Sequence, residues 1–448
     1  MTQSGNAADL TELTRHAATQ SGSVVVVGNG AAGLAAALRL AMSGCRVHVV
    51  GGGSGASSLS CGAIDRTPWE ESAAQAESAP PAPDRDSAGA GDEVGEEAAE
   101  LLEMLELYRV PAQGMLLATT SGILRPAHGA DRALLDLKSV PRGAVLVPRC
   151  DHYSWDAVTL ARSWGDTDIA RASGLHFAAV DTTLTRYREE RPLCDADLAA
   201  RHDDPGRLGW LGERLREALG RSGPCVAVLL PPWLGIDAPR AEALSERVGL
   251  PCGEAACALA SAAGRRFDRA RDRALARANV DSSRAWVRRV APSRPAPGAA
   301  WTIELEDGEP LEASAVVLAA GGLVGGGLAY EPSEALFSGE VPPSARPTFR
   351  ATIDAPATLG AYGRPLDLPG SLFGVAPESL AWPFVRDPIM DRAGLLVDAH
   401  HRVEGAPGLF ACGDLAADRP RTWLEAWTSG VRAGRYSLVA SLRNDVRG

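Results

Sequence analysis

Two hydrophobic periods alternate along this chain. Ser23–Val27 is a compact apolar run, and a stretch rich in Ala and Leu follows it to about Met42; Gly44 separates that stretch from a second apolar run, Arg46–Val50. Short β-branched runs read as buried strands and the longer stretch as a helix, so the chain opens β-α-β. Alternation continues from 98 to 260. Helices are predicted over Ala98–Tyr108, Trp155–Trp164 and Arg207–Leu219, and strands over Gly143–Val147, Leu175–Val180 and Cys225–Leu230, the last stopped by Pro231-Pro232. Gly264–Ala278 interleaves Arg with Asp and reads as a helix whose solvated face carries i,i+4 pairs. Three strands follow, at Trp286–Val290, Trp301–Leu305 and Ala313–Ala319, and the chain closes with a strand over Gly408–Cys412 and a helix from about Trp423 to Leu442.

The turn after the first strand is Gly28-Asn29-Gly30-Ala31-Ala32-Gly33. Gly28 suits the tight turn, Gly30 lets the backbone approach a phosphate, and Gly33 lets helix and strand pack closely. The backbone N–H groups and positive dipole end at the helix start then face an anion. This strand–glycine–helix context predicts an α/β fold with a Rossmann-like FAD/NAD(P)-binding domain, a parallel sheet plus a β-meander, and an inserted α+β cap. The nucleotide domain is assembled from 23–70, 262–340 and 396–448, and the cap from 98–261 and 341–395. Residues 1–22 read as an N-terminal extension. Residues 71–97, rich in Ala, Ser, Pro, Gly, Asp and Glu, read as a flexible low-complexity insertion without chemistry.

Bulk properties narrow the function. The chain has 448 residues, 45% hydrophobic and 23% charged, which fits a globular protein of more than one domain. A net charge of −11 argues against nucleic acid as a partner. Lys138 is the sole lysine, which leaves Schiff-base chemistry almost nowhere to reside. The eight cysteines include no C-x-x-C pair and no zinc-like spacing, so no metal site is expected, and a reducing cytoplasm is the expected setting. Neither a signal peptide nor a membrane span is expected.

The order of elements resembles flavoproteins of the fumarate-reductase and glycerol-3-phosphate dehydrogenase type. The likeness rests on the N-terminal fingerprint, the serine/glycine loop Gly51–Gly62, the strand ending Leu318-Ala-Ala-Gly-Gly322, and Gly408-Leu-Phe-Ala-Cys-Gly-Asp414 before the closing helix. More narrowly, it is similar to the B-type subunit family of anaerobic glycerol-3-phosphate dehydrogenases. Landmarks of that narrower likeness are Ser60-Cys-Gly-Ala-Ile-Asp65, Gly122-Ile-Leu-Arg125, Val228-Leu-Leu-Pro-Pro-Trp-Leu-Gly235 and Gly249-Leu-Pro251.

The resemblance implies FAD as cofactor, with FMN the alternative that the B-type likeness raises. It places Gly28, Gly30, Ala31, Ala32, Gly33, Gly51, Ser57, Ser58, Cys61, Gly62, Gly321, Gly322, Gly413, Asp414, Ser429 and Gly430 around the flavin. Asp414 is assigned to ribityl hydroxyls, against the alternative of a plain turn aspartate. One departure stands out. The position that carries a ribose-binding acid in such chains is Gly51 here, and no nearby carboxylate substitutes. Trp423 and Trp427 lie four apart, and core packing is favoured over flavin stacking. Arg125 and His128, in a loop of the presumed cap, are the candidates for pairing an anionic substrate and for removing a carbinol proton, each against an ordinary surface role; His152-Tyr153 is a second candidate pair.

The leading expectation is a flavin-dependent oxidoreductase acting as an electron-transferring subunit. Its partners would be a catalytic dehydrogenase subunit oxidising sn-glycerol 3-phosphate and an iron–sulfur subunit, with electrons passing toward quinone. The location would be cytoplasmic, or at the inner membrane face through those partners. The rivals are a stand-alone flavin dehydrogenase or reductase of a small organic acid or alcohol, and a non-redox scaffold that keeps the fold.

Overall fold

A computed structural model describes residues 23–66, 91–257, 261–296, 299–331, 348–365 and 391–445. The N-terminal extension and residues 71–90 of the low-complexity insertion lie outside them. In chain order the first elements are β1 (Ser23–Val27), α1 (Ala31–Met42), β2 (Arg46–Val50), β3 (Ala63–Ile64), α2 (Gly91–Glu103), β4 (Tyr108–Arg109), β5 (Met115–Ala118), β6 (Leu124–Ala127), β7 (Gly129–Asp131) and β8 (Gly143–Arg149). Next come α3 (Ala157–Gly165), α4 (Asp168–Ser173), β9 (Leu175–Asp181), α5 (Asp195–Arg201), α6 (Pro205–Arg221), β10 (Cys225–Leu230), α7 (Ala241–Val248), β11 (Cys252–Glu254) and α8 (Ala262–Arg277). The chain continues through β12 (Asp281–Ser283), β13 (Val287–Ala296), β14 (Ala299–Leu305), β15 (Leu311–Ala313) and β16 (Ala315–Leu318). It ends with β17 (Leu328–Glu331), β18 (Thr348–Ala351), β19 (Leu359–Ala361), β20 (Arg364–Pro365), β21 (Gly394–Leu395), β22 (Leu409–Ala411) and α9 (Trp423–Asp445).

Two compact units divide the chain. The first takes Met1–Ala56, Arg85–Leu101 and Ala274–Gly448, the second Ser57–Asp84 and Leu102–Arg273. These boundaries differ from the expected ones for reasons of pairing. Residues 57–66 leave the nucleotide domain because β3 pairs with β7, and the described parts of 341–395 join the first unit because β18 pairs with β17 and β19 with β21.

The first unit is built on a five-stranded sheet in the order β12-β2-β1-β16-β22, parallel throughout. Val25, Val27, Val316 and Leu318 turn one face toward Trp301 and Ile303 of the antiparallel meander β13-β14-β15. Elsewhere in this unit α1 is buried along almost its whole length, which its alanines permit, and α9 packs on it: a Cβ at Gly430 would collide with the carbonyl oxygen of Ala32.

The second unit refines the α+β expectation for the cap. Its principal sheet, β11-β10-β8-β9, is parallel. Strand alternation sorts its side chains: Val145, Val147, Ala227 and Leu229 pack with Trp164 and Leu160 of α3, whereas Leu146, Val228 and Leu230 pack with α6 and α7. With helices on both faces, the sheet is doubly wound. Small antiparallel pieces, β3-β7-β4 and β5-β6, complete the unit.

Two local expectations are also corrected. The acid-rich residues 91–97 belong to helix α2 rather than to a structureless insertion. The helix α8 is not simply a solvated face, because Arg266 is fully buried. Among the described residues no helix is long and apolar enough to cross a membrane, and no group of His, Cys, Asp and Glu is placed to hold a metal ion.

Candidate functional site

All five strands of the parallel sheet in the first unit run the same way, so their carboxyl ends share one edge. β1 lies between β2 and β16, and the chain's connections diverge on its two sides; such a switch point is where open α/β sheets bind ligands. Beyond these strand ends stand the Gly28–Gly33 turn, Gly51, the Gly321-Gly322 pair and the Gly413-Asp414 corner. The cofactor residues expected in this unit are therefore brought together.

The turn has the stereochemistry its glycines suggest. Gly28 has φ +111° and donates its N–H to Val50 O at 2.7 Å. A Cβ at Gly33 would strike the Gly28 carbonyl oxygen, so helix and strand approach as closely as backbone allows. Gly30 caps α1 with no side-chain hydrogen bond, and no acidic residue occupies the first turn. The positive end of a helix favours an anion.

At the opposite corner, Gly413 N donates to Ser429 Oγ at 2.9 Å, fixing the start of the Gly413–Leu415 turn against α9. Arg421, which sequence reasoning did not single out, clamps this corner. Its guanidinium donates to the carbonyl oxygens of Asp414, Ala416 (3.2 Å), Ala393 (2.5 Å) and Asp391 (3.0 Å). The Asp414 carboxylate itself has no hydrogen-bond donor among the described residues. Burial pushes its pKa up, with Arg421 opposing. A desolvated acceptor without donors suits hydroxyl groups of a polyol.

Trp427 is fully buried and donates Nε1–H to Ala98 O at 2.8 Å, and Trp423 stacks on it at 5.4 Å. Trp427 is core, as its spacing suggested, and Trp423 is half-buried beside it.

In the second unit, Ser58 Oγ donates to Asp268 Oδ1 at 2.6 Å, and Gly62 N to Ser60 Oγ at 3.1 Å. The 57–62 loop leads directly into β3, whose neighbour β7 follows His128. Cys61 is half-buried, and none of the eight cysteines forms a disulfide. Arg125 is buried and paired with Asp65, so its charge is already matched. Burial first, then Arg66, pushes the His128 pKa down, keeping the imidazole neutral at pH 7. His152 has both ring nitrogens engaged, Nδ1 with Ser154 Oγ at 2.9 Å and Nε2 with Leu193 O at 3.0 Å.

The most deeply buried arginine among the described residues organises this unit. Arg266 donates from Nε to Asp131 Oδ2 (2.6 Å), from Nη2 to Glu254 Oε2 (2.5 Å) and from Nη1 to Gly235 O (2.6 Å). Asp131 N in turn donates to Gly62 O at 2.8 Å, so the hub fixes the end of the 57–62 loop. Nothing in the Arg/Asp pattern of the helix marks Arg266 out from its neighbours.

Residues 23–126 match the FAD binding domain family. The cofactor this match assigns to the segment is FAD. No curated protein matches the chain. Solved structures with a similar course include 3-ketosteroid delta1-dehydrogenase from Sterolibacterium denitrificans, at 14% identity and TM-score 0.35 over 93% of this chain and 99% of that one. Iminodiacetate oxidase from Chelativorans sp. BNC1 aligns at 15% identity and TM-score 0.28, over 92% and 93%. Glycine oxidase from Bacillus cereus ATCC 14579 aligns at 13% identity and TM-score 0.31, over 93% and 94%. At such TM-scores these likenesses say nothing about the activity of this chain.

Proposed function

We propose that this chain is an FAD-dependent oxidoreductase that works as an electron-transferring subunit, its donor being a partner dehydrogenase that oxidises sn-glycerol 3-phosphate. The observation that carries the flavin reading is the pairing, on one sheet edge, of a helix start with no acidic residue in its first turn and a desolvated carboxylate, Asp414, that meets no donor among the described residues. One end fits a pyrophosphate and the other a ribityl chain. FAD, when bound, supplies the redox chemistry. Gly28–Gly33 would hold the phosphates, Ser429 and Arg421 hold the Gly413-Asp414 corner in shape, and Asp414 would accept from ribityl hydroxyls.

The relay role is supported by Arg125. The cation offered for an anionic substrate is buried against Asp65, so direct capture of a phosphate ester would first have to break that pair. The landmarks shared with B-type subunits supply the partner side of the proposal, including an iron–sulfur subunit. A neutral His128 favours the second reading, direct oxidation of a small alcohol or acid, since a neutral imidazole can take a proton.

The deciding experiment is the visible spectrum of the purified chain, followed by heat release and identification of the chromophore. Flavin bands and released FAD are expected; a colourless protein that stays so after incubation with FAD overturns the proposal. Under anaerobic conditions, glycerol 3-phosphate should leave the isolated chain's flavin oxidised and bleach it once the partner dehydrogenase is added. Bleaching without a partner favours direct oxidation.

Asp414→Asn should weaken FAD binding about 10- to 100-fold, the range for losing hydrogen bonds to a charged acceptor. The sign of the pH dependence follows from the same group. Donation by ribityl hydroxyls favours the ionised carboxylate, so FAD binding should weaken as pH falls through the raised Asp414 pKa. The Asn variant should lack that acid limb. Titration of apoprotein with FAD across pH tests both, and an unchanged acid limb in the variant removes Asp414 from the site.

A further inference from the structure

Gly51 leaves the ribose position of the fingerprint without its acid, yet the space above it is filled. A Cβ on Gly51 would lie 2.5 Å from Asn29 Cγ and 2.7 Å from its Nδ2. The carboxamide of the second fingerprint residue thus stands where a side chain at 51 would project. Among the described residues it has no hydrogen-bond partner, so both its acceptor and its donors are available. The next glycine is covered by an aromatic ring: a Cβ on Gly52 would lie 2.6 Å from Trp286 Cε2 and 2.8 Å from Cε3, with the ring-fusion atom Cδ2 nearer still. Fusion atoms nearest the backbone mean that the indole meets Gly52 with its face, not its rim.

Trp286 is nevertheless 59% exposed, an unusual position for the largest apolar side chain. It is held there by structure. Glu306 N donates to Trp286 O at 2.8 Å, Gly51 N donates to Ser283 O at 3.0 Å, and His48 Nε2 bonds Ser283 Oγ at 2.8 Å, which ties the segment before Trp286 to β2. Three consecutive glycines, Gly51-Gly52-Gly53, give the ring a bare backbone on which to lie.

Resting on the FAD reading, we infer that Trp286 and Asn29 form the adenosine subsite: the indole is a stacking platform for the adenine, and the Asn29 carboxamide replaces the missing acid at the ribose. An adenine ring is neutral, planar and polarisable, which is what a fixed, exposed indole recognises. A ribose diol both donates and accepts, which a carboxamide matches without adding a negative charge beside the pyrophosphate. FMN carries neither group, so this subsite distinguishes the two flavins by contacts FMN cannot make.

The test is titration of apoprotein with FAD and with FMN separately, comparing parent, Trp286→Ala, Asn29→Ala and Gly52→Ala. The parent should prefer FAD. Trp286→Ala should weaken FAD about 10- to 100-fold, in line with base–aromatic stacking, and leave FMN unchanged. Gly52→Ala keeps the tryptophan but displaces the ring, and should reproduce that selective loss. Asn29→Ala should lower FAD affinity by a smaller factor, again without effect on FMN. Trp286 is exposed, so thermal melting of its variant should match the parent. A parent that binds FMN as tightly as FAD, or variants that lose both flavins equally or neither, overturns the subsite while leaving the flavin reading standing. A parent that binds neither flavin overturns both.

Discussion

Gly33→Val should yield a protein without FAD. The Cβ would collide with the carbonyl oxygen of Gly28, a backbone atom that cannot rotate away. Relief requires α1 to move off β1, which carries its N-terminal N–H groups away from the phosphates and separates α1 from α9, seated on it through Gly430. Overpacking of this kind costs about 1–3 kcal/mol, so the variant should melt lower than the parent and still fold. Flavin-to-protein stoichiometry after gel filtration measures the effect. Gly55→Ala is the matched control, because no atom lies within 4 Å of a Cβ there, and it should retain FAD like the parent. A folded Gly33→Val protein with full flavin content would mean that the phosphates are held elsewhere.

What the sequence revealed follows the range over which each cause acts. The Gly28–Gly33 turn was legible because strand, glycines and helix are contiguous, and each glycine answers a local steric demand. The Gly413-Asp414 corner was legible because it follows a strand directly in sequence. The start of α2 was hidden by composition: 91–97 is acid-rich, yet Val94, Ala98, Leu101 and Leu102 fall on one helical face and are buried. The approach of Trp286 to Gly52 was illegible because it depends on where β12 lands, beside β2. The parallel cap sheet was equally hidden, since strands that alternate with helices carry no local mark of their final order. Arg125 makes a pairing that local sequence does not reveal, and it lies on β6. A lone arginine in a loop suggested a substrate ligand, and its partner, Asp65, is distant in sequence.

Arg266→Met should strongly destabilise the second unit. The guanidinium is fully buried and satisfies Asp131, Glu254 and the Gly235 carbonyl together. Removing one member of a buried ionic cluster leaves uncompensated charge in a dry interior, at a cost of about 3–5 kcal/mol. The size of the loss should depend on pH, with a sign that Glu254 sets. Burial holds the Glu254 pKa above the usual carboxylate range, and Arg266 opposes that rise. Above the unfolded carboxylate pKa of about 4.3, the folded state therefore binds more protons at Glu254 than the unfolded state does, and stability falls as pH rises through that window. Without Arg266 the Glu254 pKa goes higher, so the window widens and the deficit relative to the parent grows between pH 5 and pH 8. Melting temperatures of parent and variant at both pH values measure this. A double variant, Arg266→Met with Glu254→Gln, should recover part of the loss and flatten its pH dependence. If the deficit is instead the same at both pH values and unrelieved in the double variant, the cluster acts by packing and not by charge.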